Sequence, residues 1–369
     1  MNKICLVGSS GAYGDGLDGQ TTKVRLYYKK MIDEGYDVKF VDLAFFTRRP
    51  ISTLLKIKKG LLECDRIVLI TATRGCKILI PYINFLNKKH NKPFILPLVG
   101  SSVLHYSIDK LTDEQKNKFL LNKTFSLVKR NKLWSKRLRK ISYILPETEN
   151  LKEVFEEFYQ LNNVCVLNNF RDCEIKKIKE REERREIKLV YLSRVTKIKG
   201  IFDLLEVVKL INAEKVQVSL DVFGSLHLNE GEKHVFYSSL GENINYKGSI
   251  KNEDVCNILE PYDFMVFPTK AIGEGTPGVI SESLIAGVPV LTSNFPQARL
   301  LLKEYFDSLF FEINNKEDLK NKILYIVENK ELIDEYRRNS LQSAKKFIYK
   351  TDRNAFLKYV CGQDDIKQF

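Results

Sequence analysis

Short β-branched runs alternate with longer stretches of helical period along this chain, and the alternation happens twice. KICLVG (3–8), VKFVDL (38–43), RIVLITA (66–72), FILPLVG (94–100), ISYILPE (141–147) and VCVLNN (164–169) read as strands. QTTKVRLYYKKMIDEG (20–35) between the first two has helical spacing, with Gly35 as its C-cap. RDCEIKKIKEREERREIK (171–188) is dense in charge of both signs, lacks an apolar period and reads as a linker. The pattern then restarts with KLVYLSR (188–194), VQVSLDVFG (216–224), INYKGSI (244–250), FMVFPT (264–269), VPVLTS (288–293) and SLFFE (308–312), followed by helices near 315–328 and 331–348. Alternation of strand with helix implies a parallel sheet covered on both faces. The expected class is therefore α/β, with two Rossmann-like βα-repeating domains facing across a cleft. Residues 1–172 form the first and 173–369 the second, with the last ~20 residues crossing back to the first. A length of 369 residues suits two domains.

Composition removes several classes. No run of eighteen apolar residues suggests a transmembrane helix. The apolar part of MNKICLVGSSGAYG is too short for a signal peptide and reads as the first strand. Seven cysteines without a CxxC pair read as reduced, mostly buried thiols of a cytoplasmic protein. The four histidines show no metal-ligand spacing, so no metal is expected. The net charge of +13 is unevenly spread. Residues 1–150 carry 28 Lys and Arg against 13 Asp and Glu, whereas residues 201–369 carry 20 against 25. A basic first half points to a polyanion or a membrane surface.

The chemistry concentrates in GEGTPGVISESLIAGVPV (273–290). Glu274 precedes a Thr276-Pro277-Gly278 turn, and Glu282 lies about one turn into the helical run that follows. Backbone N–H groups at a turn and helix start are free to face an anion, and glycines allow close approach. A carboxylate accepts two hydroxyl hydrogen bonds at once, which suits a vicinal diol of a hexose or ribose. A single glutamate here would be an ordinary response to the helix dipole. The string as a whole, with FPT (267–269) before it and AGVPV (286–290) after it, resembles the glutamate-x7-glutamate motif of retaining glycosyltransferases of family 4, which have the GT-B fold. YLSRVTKIKGIFDLLEVVKLI (191–211) is similar to the same family's strand–Arg–x4–Lys-Gly–helix segment.

The resemblance implies roles. Glu274 would contact the donor sugar and Glu282 the nucleotide ribose. The amides of Gly275, Thr276, Gly278 and Val279, around Pro277, would hold the sugar and diphosphate. Arg194 and Lys199 would neutralise the leaving diphosphate, so that no metal is needed. Strand-end loops at Gly224 (DVFGS) and Ser249 (YKGSI) would pass near the base. Gly16 and Gly19 in GDGLDGQTTKV (14–24) would let the first Gly-rich loop approach the donor phosphates. That loop has neither dinucleotide nor P-loop spacing, so the nucleotide enters as donor substrate, UDP type, with no separate cofactor. His105 in LVGSSVLHYS (98–107) lies near the place of the family's His-Gly pair but is shifted from it. The implied function is transfer of a hexose from a nucleotide sugar to a hydroxyl acceptor, lipid-linked or oligosaccharide, in bacterial surface-polysaccharide assembly at the inner face of the membrane.

Two basic runs carry the charge surplus. KTFSLVKRNKLWSKRLRK (123–140) and RRPISTLLKIKK (48–59) contain no acid. Along the first and just past its end, Phe125, Val128, Trp134, Leu138 and Ile141 recur at roughly helical spacing. The stripe suits an anionic bilayer surface, or packing by its apolar face with a solvated basic face, and the two are compatible. A nucleotide-sugar epimerase shares the architecture without needing the two-glutamate string. A nucleic-acid-binding protein would suit the pI of about 9.2 but not the acidic second half.

Overall fold

The computed structural model describes residues 2–11, 19–100, 102–104, 108, 111–177, 186–214, 218–272 and 274–363. The chain divides into two compact units, Met1–Asn169 with Tyr349–Phe369, and Phe170–Ile348. In the first, strands β1 (Lys3–Gly8), β2 (Asp37–Asp42), β3 (Arg66–Leu69), β4 (Phe94–Pro97) and β5 (Tyr143–Leu145) form a parallel sheet in the order β2-β1-β3-β4-β5. Strand β1 is buried at five successive positions because helices cover both of its faces. Helix Gly19–Asp33 ends as expected: Gly35, at φ +83°, donates to Ile32 O at 2.9 Å. Lys23 on that helix reaches the far edge of the sheet. Its ammonium meets Glu147 Oε1 at 2.7 Å and Leu98 O at 2.6 Å, and both side chains are buried.

One expectation for this unit changes, and one of two compatible readings is met. VCVLNN is not a sixth strand. Val164 forms a single bridge to Ile144, and the Asn163 amide turns inward to Leu138 O and Ile141 O. Residues 163–167 still hydrogen-bond beside β5, but as an irregular edge. The apolar stripe of 123–140 is core. Trp134 is 2% exposed and packs with Leu138, Ile141, Leu79 and Ile83, while Phe125 and Val128 pack against the same cluster. The segment folds as a short turn at Phe125–Leu127 and a helix at Lys132–Leu138, capped by Asn131.

The second unit holds β6 (Ile187–Leu192), β7 (Val218–Phe223), β8 (Ile244–Gly248), β9 (Phe264–Phe267), β10 (Val290–Ser293) and β11 (Ser308–Phe311). All pair in parallel, in the order β11-β10-β9-β6-β7-β8. Alternate residues feed two cores. Leu189, Tyr191, Leu220 and Val266 pack with helices Ile201–Ala213 and Lys316–Glu328. Val190, Met265, Phe267 and Phe310 pack with helix Gly278–Ile285. The described part of the charged segment is no solvated linker. Arg171 N donates to Phe347 O at 2.6 Å, Lys176 N to Ile285 O at 3.2 Å, and the sulfurs of Cys173 and Cys256 lie 3.3 Å apart.

The last described stretch, from helix Tyr349–Ala355 onward, packs into the first unit. Phe356, Leu357 and Val360 are buried, and the Tyr27 and Phe356 rings meet edge-on at 5.1 Å. Arg353 grips Glu34 with Nε at 2.7 Å and an η nitrogen at 2.6 Å. Asp352 accepts from the Asn168 amide at 3.0 Å, and its other oxygen has no hydrogen-bond partner among the described residues. Burial pushes this carboxyl up to about 6 from the ordinary 3.8. A carboxyl raised in the folded state favours folding below its unfolded pKa, and that contribution is lost as pH rises through the folded value. The melting temperature of the first unit should therefore fall between pH 4 and 6 relative to Asp352→Asn. Thermal denaturation of the two proteins across that window checks it, and parallel pH profiles would refute it.

Candidate functional site

Because every strand of the second sheet runs the same way, the loops after β6, β7, β8 and β9 leave from one edge. The chain adds β7 and β8 on one side of β6, then places β9 on the other side. The sheet reverses between β6 and β9, and in open α/β sheets a ligand site forms outside the carboxyl ends at such a reversal. The loops on its two flanks carry Arg194 and Lys199 on one side and Glu274 on the other. They are held close. Lys270 N donates to Ile198 O at 2.8 Å, and Lys270 Nζ meets Asp203 at 2.7 Å. Gly200, at φ +74°, has no room for a side chain, since a Cβ would fall 1.8 Å from Pro268 O. The Lys-Gly pair in the sequence thus has a steric cause.

Lys199 and Glu274 form an ion pair across the reversal, with side chains 13% and 15% exposed. Thr269 Oγ1 donates to the same carboxylate oxygen at 3.1 Å, and the Lys199 ammonium lies 5.2 Å from the Phe267 ring centroid. Thr269 is itself fixed, because its carbonyl accepts from Ser293 Oγ at 2.5 Å. The pair is therefore pre-oriented by β9 and β10. An ammonium has three N–H donors, so the contact with Glu274 leaves capacity for an anion.

Glu282 lies on helix Gly278–Ile285 and is 8% exposed. Its carboxylate accepts from Arg171 Nε at 2.7 Å. The Arg171 guanidinium runs beneath Gly278, where a Cβ would sit 1.7 Å from one of its η nitrogens. The glycine of the Thr-Pro-Gly turn thereby leaves space for a cation beside the helix start. The amides of Gly278 and Val279 open that helix, and first-turn amides lack intrahelical acceptors. Arg171 is the functional candidate that the charge-dense sequence concealed. Its neighbourhood of mixed charges resembled a solvated linker, and the one available signal was its place just after the apolar run that ends at Phe170.

The remaining candidates are more scattered. Arg194 is exposed, and its carbonyl accepts from Tyr191 Oη at 2.9 Å. Burial pushes the Tyr191 phenol well up, so it stays a donor and pins the loop. Gly224, at φ +139°, lies against Ser193, where a Cβ would come within 1.8 Å of the carbonyl oxygen, and its N–H donates to Gly248 O at 2.9 Å. Ser249 follows at the exposed end of β8. Gly275, Thr276 and Pro277 link Glu274 to the helix, with Thr276 buried. In the first unit, Gly19 opens helix Gly19–Asp33, and a Cβ there would meet none of the described residues within 4 Å. Gly16 and His105 lie outside the described residues. Among the described residues no three His, Cys, Asp or Glu gather as a metal-binding group.

Residues 172–346 match the family model for Glycosyl transferases group 1. The match spans both loops of the reversal and the helix that carries Glu282. An uncharacterized glycosyltransferase of Methanocaldococcus jannaschii is 22% identical over 389 residues, covering 94% of each chain. The UDP-Gal:alpha-D-GlcNAc-diphosphoundecaprenol alpha-1,3-galactosyltransferase of Escherichia coli is 28% identical over 102 residues, 27% of this chain and 26% of that enzyme. The structure of Anabaena HepE in complex with UDP and glucose covers 98% of this chain and 100% of its own, with a TM-score of 0.67 at 13% identity. The fold is GT-B. These findings support a glycosyltransferase.

Breaking a buried pair by removing one partner leaves the other charge uncompensated, at about 3–5 kcal/mol. Arg171→Met should destabilise the second unit by about that amount, and adding Glu282→Gln should recover a large part of it. Urea unfolding followed by circular dichroism reads both, and a loss that the second substitution does not relieve would count against the pairing.

Proposed function

We propose that the chain is a retaining glycosyltransferase that moves a hexose from a UDP-sugar to a hydroxyl of a lipid-linked glycan, without a metal, at the inner face of the cell membrane. The observation that carries this reading is the Lys199–Glu274 pair across the sheet reversal, with the Glu282 helix start following directly in the same loop. The likeness to the galactosyltransferase and to the UDP-bound structure supports the donor class. Polysaccharide assembly as the setting follows from the two-glutamate resemblance and the basic first half.

In this reading Glu282, fixed by Arg171, takes the ribose hydroxyls. Glu274 takes sugar hydroxyls, held in place by Lys199 and Thr269. Arg194 and the remaining N–H donors of Lys199 face the diphosphate, together with the amides at Gly278 and Val279. The bond between the anomeric carbon and the phosphate oxygen breaks as the acceptor oxygen bonds to the same face of that carbon. The acceptor proton passes to the departing phosphate oxygen, and the developing negative charge falls on the two cations and the helix start. A water-poor site would suppress hydrolysis of the donor.

No specific observation favours an epimerase or a nucleic-acid-binding protein. An epimerase would release an isomerised nucleotide sugar instead of free nucleotide and glycoside. Titration calorimetry should find UDP affinity reduced about tenfold in Glu282→Gln, the scale of one charge-assisted hydrogen bond. Unchanged affinity would sink the ribose assignment. Glu274→Gln should lower kcat about a hundredfold while largely keeping UDP binding, whereas Lys199→Ala should lower kcat and UDP affinity together. Turnover should survive EDTA, and proton NMR of the product should show the donor's anomeric configuration. Inversion would refute the retaining assignment.

A further inference from the structure

Three helices of the first unit lie side by side over its sheet: Pro50–Glu63, Thr73–Asn87 and Lys132–Leu138. Tyr82 Oη donates to Leu54 O at 2.9 Å, and the Asn84 amide donates to Arg137 O at 2.9 Å, so the middle helix is tied to both neighbours. Their inner faces send Ile57, Leu79, Ile83, Trp134 and Leu138 into one core. Their outer faces should then be polar. They are only in part: Phe85 is 76% exposed and Ile51 74%, and Leu55, Ile78 and Leu133 are exposed as well. On the middle helix, Arg74, Ile78 and Phe85 stand four and eleven residues along one stripe, which Lys88 and Lys89 continue. Large apolar side chains left together in water mark an interaction site.

Charge identifies the partner. Segments 48–63, 73–89 and 129–140 hold 16 Lys and Arg and a single acid, Glu63, which is paired with Lys39. A second copy of this face would bring like charges together. A nucleic acid would satisfy the cations but offers nothing to Ile51, Leu55 or Leu133. An anionic bilayer satisfies both, because headgroup phosphates take the cations and the acyl boundary takes the apolar tips. We infer that this face seats on an anionic phospholipid membrane, with Ile51, Ile78, Phe85 and Leu133 entering the headgroup–acyl boundary. The chemistry is read from the first unit alone. Its purpose, holding the enzyme where a lipid-linked acceptor lies, rests on the proposed function.

Trp134 is buried beneath this face and should not respond to lipid, so Phe85→Trp supplies a reporter of insertion. Its emission should shift to the blue with phosphatidylcholine vesicles containing phosphatidylglycerol, and salt should reverse the shift. Ile78→Ser with Phe85→Ser, at exposed positions that cost the fold little, should weaken sedimentation with those vesicles about tenfold or more. UDP affinity, measured on the same preparations, should stay unchanged. The inference is overturned by an unshifted Phe85→Trp spectrum, or by equal binding of the double variant. A self-association that the double variant abolishes without any vesicle binding also overturns it, as does tighter binding of a nucleic-acid duplex than of vesicles. UDP binding that fails while vesicle binding holds would refute the donor reading and leave the membrane face standing.

Discussion

The second unit depends on one constraint, the uniform direction of its six strands. A parallel sheet cannot return by hairpins, so each crossover helix sends the chain back to the same starting edge. All the loops that follow strands then gather at the opposite edge. Reversal of the winding direction between β6 and β9 opens a gap at that edge. Residues separated by 75 positions, Lys199 and Glu274, meet across it. The same geometry forces glycine at position 200, where the two loop backbones run too close for a Cβ.

Much of this could be read from the residues. Strands β6 to β11 lie within a few residues of the runs that announce them: β9, β10 and β11 are buried throughout and must be apolar, whereas β7 and the edge strand β8 alternate buried with more exposed positions. The two-glutamate string carried its own turn and helix start. The unreadable parts share a cause. Arg171 gains its meaning from Glu282, 111 residues away, and from the space left by Gly278. Local composition contains neither fact. VCVLNN has strand composition, but it follows β5 only as an irregular edge with one bridge at Val164, and the Asn163 amide just before it is tied to Leu138 O and Ile141 O.

The basic runs show how periodicity can indicate the correct element and leave its face open. The stripe of 123–140 does exist, yet Trp134 and Leu138 are spent on the core. Two of the lipid-facing candidates, Ile78 and Phe85, come from CKILIPYINFL, whose apolarity is near-continuous. What separates Ile78 and Phe85 from Leu79 and Ile83 is rotation about the helix axis, and only the neighbouring helices reveal which side is inner. The spacing of Arg74, Ile78, Phe85 and Lys88 along one stripe was the signal available beforehand.

The buried indole described earlier has a further consequence. The chain contains one tryptophan, and it sits in the core of the first unit. Intrinsic tryptophan emission is therefore a private optical channel for that unit and is blind to the second one. Comparing it with a whole-chain signal such as ellipticity would separate the melting of the two units in a single unlabelled sample, and would show whether they unfold together or in turn.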